Sequence, residues 1–219
     1  MSKIEGLFIG DIATLEPGGD RTGIYKNHVP TVEIQREGMV GDHQADRRFH
    51  GGPDKAVHQY AQRSYRIIEE NFPELASQLV PGAMGENLSA PDMDDENVMI
   101  GDIYRVGAAL LQVSEPRRPC WKINAKFAEE SLSKFVESNA ITGWYYRVLE
   151  SGRASVGEEI VLQERYPQSP SIASFTRTVT QHRPAAEKLE ALLESIGLSA
   201  PWRKKLQGRL KFLRKNNGL

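Results

Sequence analysis

Asp102-Ile-Tyr-Arg-Val-Gly-Ala-Ala-Leu-Leu-Gln-Val-Ser-Glu-Pro-Arg-Arg-Pro-Cys-Trp-Lys122 joins a structural signal to a chemical one. Gly107 separates two β-favouring runs, Ile103–Val106 and Ala109–Val113, which predicts a hairpin turning at Gly107. Its second strand leads into a loop stiffened by Pro116 and Pro119. There Arg117, Arg118 and Lys122 surround Cys120, the single cysteine of the chain. Such a field favours thiolate, the form that attacks electrophiles or binds soft metals. The alternative for Cys120 is a small apolar residue buried beside Trp121.

Outward from this hairpin, short apolar runs punctuated by glycine predict further strands at Ile4–Ile9, Val29–Ile34, Trp144–Leu149 and Ile160–Leu162. Helical spacing of Tyr65, Ile68 and Phe72, and of Phe127, Leu132, Phe135 and Val136, predicts helices over Gln62–Asn71 and Lys126–Ser138. Strands and helices without regular βαβ alternation indicate an α+β fold with a mainly antiparallel, barrel-like sheet and flanking helices. Tyr166-Pro-Gln-Ser-Pro-Ser171 reads as a linker. Beyond it Ile172–Gln181, Ala185–Ile196 and Pro201–Leu213 predict three helices, giving domains at 1–166 and 167–219.

The chain has 219 residues, 39% of them hydrophobic and 26% charged, as in ordinary globular proteins. No segment approaches the roughly 20 apolar residues that span a bilayer, and a lone cysteine forms no internal disulfide. Together these indicate a cytoplasmic protein without a membrane segment. The net charge of −1 conceals an asymmetry: residues 169–219 hold ten Lys/Arg against three Asp/Glu, leaving 18 against 26 before them. A basic tail suits an acidic partner, nucleic acid or a solvated helical face, and its sparse aromatics favour nucleic acid least.

His50-Gly51-Gly52-Pro53-Asp54-Lys55-Ala56-Val57-His58 combines glycines that permit close backbone approach with a cation and two histidines. That set suits an anionic or heterocyclic ligand, although a plain glycine turn explains it equally well. Gly85-Glu86-Asn87 is a shorter polar element of the same kind.

With Thr22-Gly23-Ile24-Tyr25-Lys26, Gly41-Asp42-His43-Gln44-Ala45-Asp46 and Pro116-Arg117-Arg118-Pro119-Cys120, these motifs appear in an order that resembles the MOSC domain family. That family is named for the C-terminal part of molybdenum cofactor sulfurases. The resemblance is to its YiiM branch and covers nearly the whole chain, including the three C-terminal helices. It implies a β-barrel-like core that binds molybdenum cofactor (molybdenum-molybdopterin), with Cys120 as the catalytic and metal-binding residue. The implied cofactor-binding set is Lys26, His50, Gly51, Gly52, Lys55, His58, Asn87, Arg117 and Cys120. Arg118 falls at the variable place of the Pro-Arg-x-Pro-Cys pattern.

The same resemblance implies reduction of N-hydroxylated compounds, namely hydroxylamines, amidoximes and N-hydroxylated nucleobases, to amines or amidines. No second cofactor motif is present, so the electrons are expected from a separate reductase, a flavoprotein. Other readings are a cofactor carrier or sulfur-transfer module, and a hydrolase or transferase using Cys120 as nucleophile with His50 or His58 as base. A zinc site from Cys120, His50 and His58 lacks the usual ligand spacing.

Overall fold

The computed structural model describes residues 2–16 and 18–216; Met1, Pro17 and residues 217–219 lie outside the described part, including the outer ends of both expected domains. Nine strands form one sheet in the order Ser2–Lys3, Glu159–Glu164, Ile103–Val106, Ala109–Pro116, Trp144–Glu150, Val57–Gln59, Leu88–Ser89, Gly6–Ile9 and Asn27–Val29. All pairings in it are antiparallel except that of Gln59 with Leu88. Ser2–Lys3 lies at one edge of this order and Gly6–Ile9 next to the other. Only Ile4 and Glu5 separate them, and three residue steps reach about 10 Å at most. The sheet therefore curls until its ends approach, which makes it barrel-like. With its flanking helices, the fold is the α+β class the sequence indicates.

The hairpin forms as expected: Val106 faces Ala109, and Gly107 turns the chain at φ 56°. A Cβ there would stand 2.7 Å from the Arg153 carbonyl oxygen, so glycine serves both the turn and the close approach. The run Val29–Ile34 is instead two strands, Asn27–Val29 and Thr31–Gln35, which pair in different sheets on either side of Pro30. Proline has no N–H to give a ladder, and the chain changes sheet there. Likewise Ile4 and Glu5 are not in a strand; their N–H groups bond to Glu158 and Ser89 as the chain crosses between sheet ends.

Gln62–Asn71 is the expected helix. The expected Lys126–Ser138 helix is two helices, Trp121–Phe127 and Leu132–Ser138, divided at Ala128 in the left-handed conformation, φ 52°. The Asn124 side chain bridges the break, accepting from the Ser133 N–H at 2.7 Å and donating to Glu130 O at 2.5 Å. The bend lets Ile123 and Phe127 of one helix and Leu132 and Val136 of the other enter a single apolar cluster with Tyr65 and Ile68.

The C-terminal helices are Ile172–Thr180, Ala186–Leu193 and Ala200–Asn216. Ser171 caps the first, its Oγ accepting from Ser174 N–H at 3.1 Å, a contact worth about 1 kcal/mol. Phe175 and Trp202 meet edge to face at 5.1 Å, in the same apolar cluster as Ile100 and Val113 of the sheet region. Among the described residues, no helix is long and apolar enough to cross a membrane.

Candidate functional site

Strand register builds the floor of the site. Tyr145 stands opposite His58 on one side and Glu115 on the other, so three neighbouring strands present His58, Tyr145 and Glu115 in a row. Glu115 reaches this row because the ladder slips between Val113 and Glu115. Regular alternation would have placed Ser114 opposite Tyr145; the bulge re-aims the strand. Ser114 Oγ instead donates to Tyr145 O at 3.0 Å.

Loops rise from this floor around two joined cavities. The deeper one, about 620 Å³ including open solvent, is lined by Lys26, Asp42, His50, Lys55, His58, Asn87, Arg117, Cys120 and Tyr145 with parts of segments 22–24, 43–46 and 84–85. The outer one, about 1190 Å³ including open solvent, adds Asp20, Glu115, Arg118, Pro119 and Trp121. Cys120, His50, Lys55, Lys122 and Tyr145 belong to both. The partly exposed thiol thus stands at their shared border, and the volumes suit a small organic ligand.

Two hydrogen bonds hold Arg117. Its N–H donates to Gly143 O at 2.9 Å, its Nη2 donates to Met84 O at 3.2 Å, and its Nη1 has no hydrogen-bond partner among the described residues. His58 Nε2 is likewise buried without a partner. Two buried polar atoms left unsatisfied beside one cavity are costly unless a ligand or water meets them. Lys26 differs: its ammonium pairs with Asp42, which also accepts from Gly10 N–H and from Asn87 Nδ2, each at 2.9 Å. Asn87 Oδ1 accepts from His58 N–H at 3.0 Å, so Asn87 clamps the strand that carries His58.

Positive charge and burial set the protonation states. Burial first, then Arg117, Lys55 and Lys122, bring His50 down to about 4; burial and Arg117 hold His58 well below the usual histidine range. Both rings are therefore neutral at pH 7, each with one N–H and one lone pair. Burial raises Glu115 against the opposing pull of Lys55, whose Nζ lies 3.5 Å from Glu115 Oε1. Burial also pushes Tyr145 up to about 12, so its hydroxyl stays protonated.

Seven of the residues singled out from sequence therefore line one cavity: Lys26, His50, Lys55, His58, Asn87, Arg117 and Cys120. Gly51 and Gly52 line neither cavity. They form the turn, with Gly52 at φ 95° and its carbonyl accepting from Lys55 N–H at 2.9 Å, that sets Lys55 back toward the site. Arg118 lines only the outer cavity of these two. Sequence reasoning named Lys122 only as a cation near Cys120, and passed over Tyr145 and Glu115 as site residues and Asp42 as the partner of Lys26. Among the described residues no group of three or more His, Cys, Asp or Glu side chains is placed to hold a metal ion by itself.

Residues 46–161 match the model of the MOSC domain family. The chain is 38% identical over 204 residues to an uncharacterized protein, YflK, of Bacillus subtilis (strain 168), covering 92% of this chain and 91% of that protein. It is 42% identical over 155 residues to a reductase of Gibberella moniliformis (strain M3125 / FGSC 7600), spanning 69% of this chain but 28% of that protein. The crystal structure of YiiM from Geobacillus stearothermophilus superposes with a TM-score of 0.81 at 30% identity, over 96% of this chain and 100% of that one.

Proposed function

We propose, from the premise that this chain belongs to the MOSC domain family and to its YiiM branch, that it is a molybdenum-cofactor-dependent reductase of N-hydroxylated compounds. The observation that carries this reading is the placement of a partly exposed soft thiol, Cys120, in a cavity where Arg117 Nη1 and His58 Nε2 are buried without partners among the described residues. The donor set fits the group: a thiolate for a soft metal, a guanidinium for a phosphate, and a neutral imidazole for the edge of a pterin. The relative named reductase supports a redox role.

Cys120 would supply a sulfur ligand to the metal. Arg117 would hold the anionic part of the cofactor, since one of its nitrogens is uncommitted and Lys26 is already balanced by Asp42. His58, neutral and clamped by Asn87, would accept or donate one hydrogen bond to the ring system. When bound, the cofactor supplies two-electron redox chemistry, and the protein contributes position and electrostatics. The reaction adds two electrons and two protons to an N–OH group, breaks the N–O bond, and releases an amine or amidine with water. Electrons would come from a separate reductase of the flavoprotein class.

The test is to purify the protein from cells competent in cofactor synthesis. Metal analysis and pterin fluorescence are then measured beside reduction of hydroxylamines, amidoximes and an N-hydroxylated base. Stoichiometric molybdenum with turnover supports the reading; a metal-free active enzyme overturns it, and loaded protein without turnover makes it a carrier. Cys120→Ala should lose molybdenum and turnover while unfolding within about 1 kcal/mol of wild type. Loss of activity through unfolding alone would make Cys120 a packing residue.

A further inference from the structure

Gly143, just before the strand Trp144–Glu150, touches both residues whose buried nitrogens the deeper cavity leaves unmet. Its carbonyl accepts from Arg117 N–H at 2.9 Å. A Cβ on it would stand 3.2 Å from His58 Nε2 and 2.5 Å from Gln59 O, and its φ is 72°, so only glycine fits this close approach. Gly143 is in turn held by a carboxylate: Asp95 Oδ1 accepts from its N–H at 2.9 Å, with the Thr142 hydroxyl 3.4 Å from the same oxygen. The main-chain carbonyl of Asp95 accepts from Ala173 N–H at 2.7 Å, so the same residue fastens the helix Ile172–Thr180.

Asp95 is only 2% exposed, and its Oδ2 has no hydrogen-bond partner among the described residues. A separate cavity borders it, lined also by Arg63, Asp94, Glu96 and Arg177. Those four pair among themselves, Arg63 with Asp94 at 3.2 Å and Arg177 with Glu96. Three consecutive acidic residues suggest a cation site, but two of them are thus already balanced, and no group there is placed to hold a metal ion among the described residues. Burial raises the Asp95 carboxyl to about 7, against the hydrogen bonds from Gly143 and Thr142 that lower it. Tyr60, which burial and Asp95 hold above its usual range, stays protonated through neutrality. In either form of Asp95 the Oδ1 atom remains an acceptor, because a proton has the unpartnered Oδ2 to occupy.

We propose that Asp95 is a positioning residue for the deeper cavity: through Gly143 it fixes the main chain of Arg117 and the packing beside His58 Nε2. Its effect on cofactor retention rests on the reading above; the coupling of Asp95 to Arg117 does not. The aim of a long side chain is set where its backbone is anchored. Arg117 is tied at its N–H to Gly143 O and at Nη2 to Met84 O, and releasing the first leaves Nη1 pointing at no fixed place in the cavity. A buried carboxylate is a costly means of holding one backbone N–H, which marks the contact as one the fold depends on here.

The test begins with wild-type protein titrated through about 7 while amide resonances are followed. The Gly143 amide proton should shift with ionisation of Asp95, and the Arg117 amide should follow with the same midpoint; both shifts should vanish in Asp95→Asn. The Val113 amide, bonded to Asp102 O, should not respond. Asp95→Ala removes the acceptor, whereas Asp95→Asn keeps it. Hydrogen exchange at Gly143 and Arg117 should quicken at least about 10-fold in Asp95→Ala, more than at Val113, and return toward wild type in Asp95→Asn. Retention of molybdenum and pterin through dialysis should weaken at least about 5-fold in Asp95→Ala and less than about 2-fold in Asp95→Asn, at a temperature where circular dichroism shows both folded. Equal retention by wild type and Asp95→Ala, or no recovery in Asp95→Asn, overturns the proposal. Should Asp95→Ala not fold, the titration decides alone: an Arg117 amide that stays still overturns it. Coupled amides in a protein that takes up no molybdenum would uphold the positioning of Arg117 and remove the reductase reading.

Discussion

Lys26 and Asp42 form an ion pair in which the side chains are only 4% and 2% exposed. The carboxylate is also the acceptor for the Gly10 N–H and Asn87, so one buried group organises three segments beneath the deeper cavity. Removing it leaves an ammonium, a backbone donor and an amide unmet. Asp42→Ala should therefore lower stability by about 3 kcal/mol or more, or roughly 6 °C in melting temperature. A denaturant titration with an unchanged midpoint would show that the pair carries no such burden.

Arg117 and Lys55 should retain an anionic ligand more strongly than Arg118. Arg117→Ala and Lys55→Ala are each expected to weaken cofactor retention through dialysis by an amount corresponding to about 1.5–3 kcal/mol. Arg118 is exposed and absent from the lining of the deeper cavity, so Arg118→Ala should have the smallest effect. Equal retention by all three variants would place the anion elsewhere. Because Arg117 also bonds to Met84 O, its variant needs a parallel melting measurement.

Acid should destabilise the protein through its histidines. His50 titrates at about 4 and His58 also lies below the usual range, whereas both titrate near 6.5 in the unfolded chain. The unfolded state thus binds protons that the native state refuses. Their contribution to stability is complete above about pH 6.5 and is lost as the pH falls toward 4. Melting temperatures across this window should fall less steeply for His50→Gln than for wild type; parallel curves would contradict the assignment.

The cations of the basic tail serve different ends. Arg203 donates to Leu193 O and Ser195 O, Arg209 to Val179 O, Gln181 O and His182 O, and Arg214 pairs with Glu190, so these three fasten the helices together. Lys204, Lys211 and Lys215 are exposed. If the tail recruits an acidic electron donor, reversing these three lysines to glutamate should slow donor-coupled turnover several-fold at low salt and little at high salt. Turnover with a small artificial reductant should not change. Equal loss with both reductants would dismiss recruitment. Deleting 169–219 is a poorer test, because Phe175 and Trp202 share the apolar cluster of the sheet.

What the sequence revealed follows from how local each signal is. The Gly107 hairpin was legible because a two-residue turn needs a residue tolerant of positive φ, and the helix Gln62–Asn71 because its apolar spacing is self-contained. The break at Ala128 was not, since no glycine marks the left-handed position and the stabilising contacts come from Asn124. In the site, Cys120 and Arg117 stood out within one proline-stiffened loop. Glu115 and Tyr145 did not, because their adjacency depends on the slip at Ser114 and on pairing between strands distant in sequence. Asp42 was visible within a motif, but nothing local assigned its charge to Lys26.

The curled sheet joins segments far apart in sequence: Ser2 faces Ile160, and Lys3 faces Glu159. The deeper cavity draws its lining from segments between Thr22 and Tyr145. During synthesis, the complete wall cannot exist until Tyr145 has left the ribosome, and the first strand waits longer still for its partner. Ligand capture by the finished pocket thus waits for every segment from Thr22 to Tyr145, and a product truncated before Tyr145 has no assembled place to hold one.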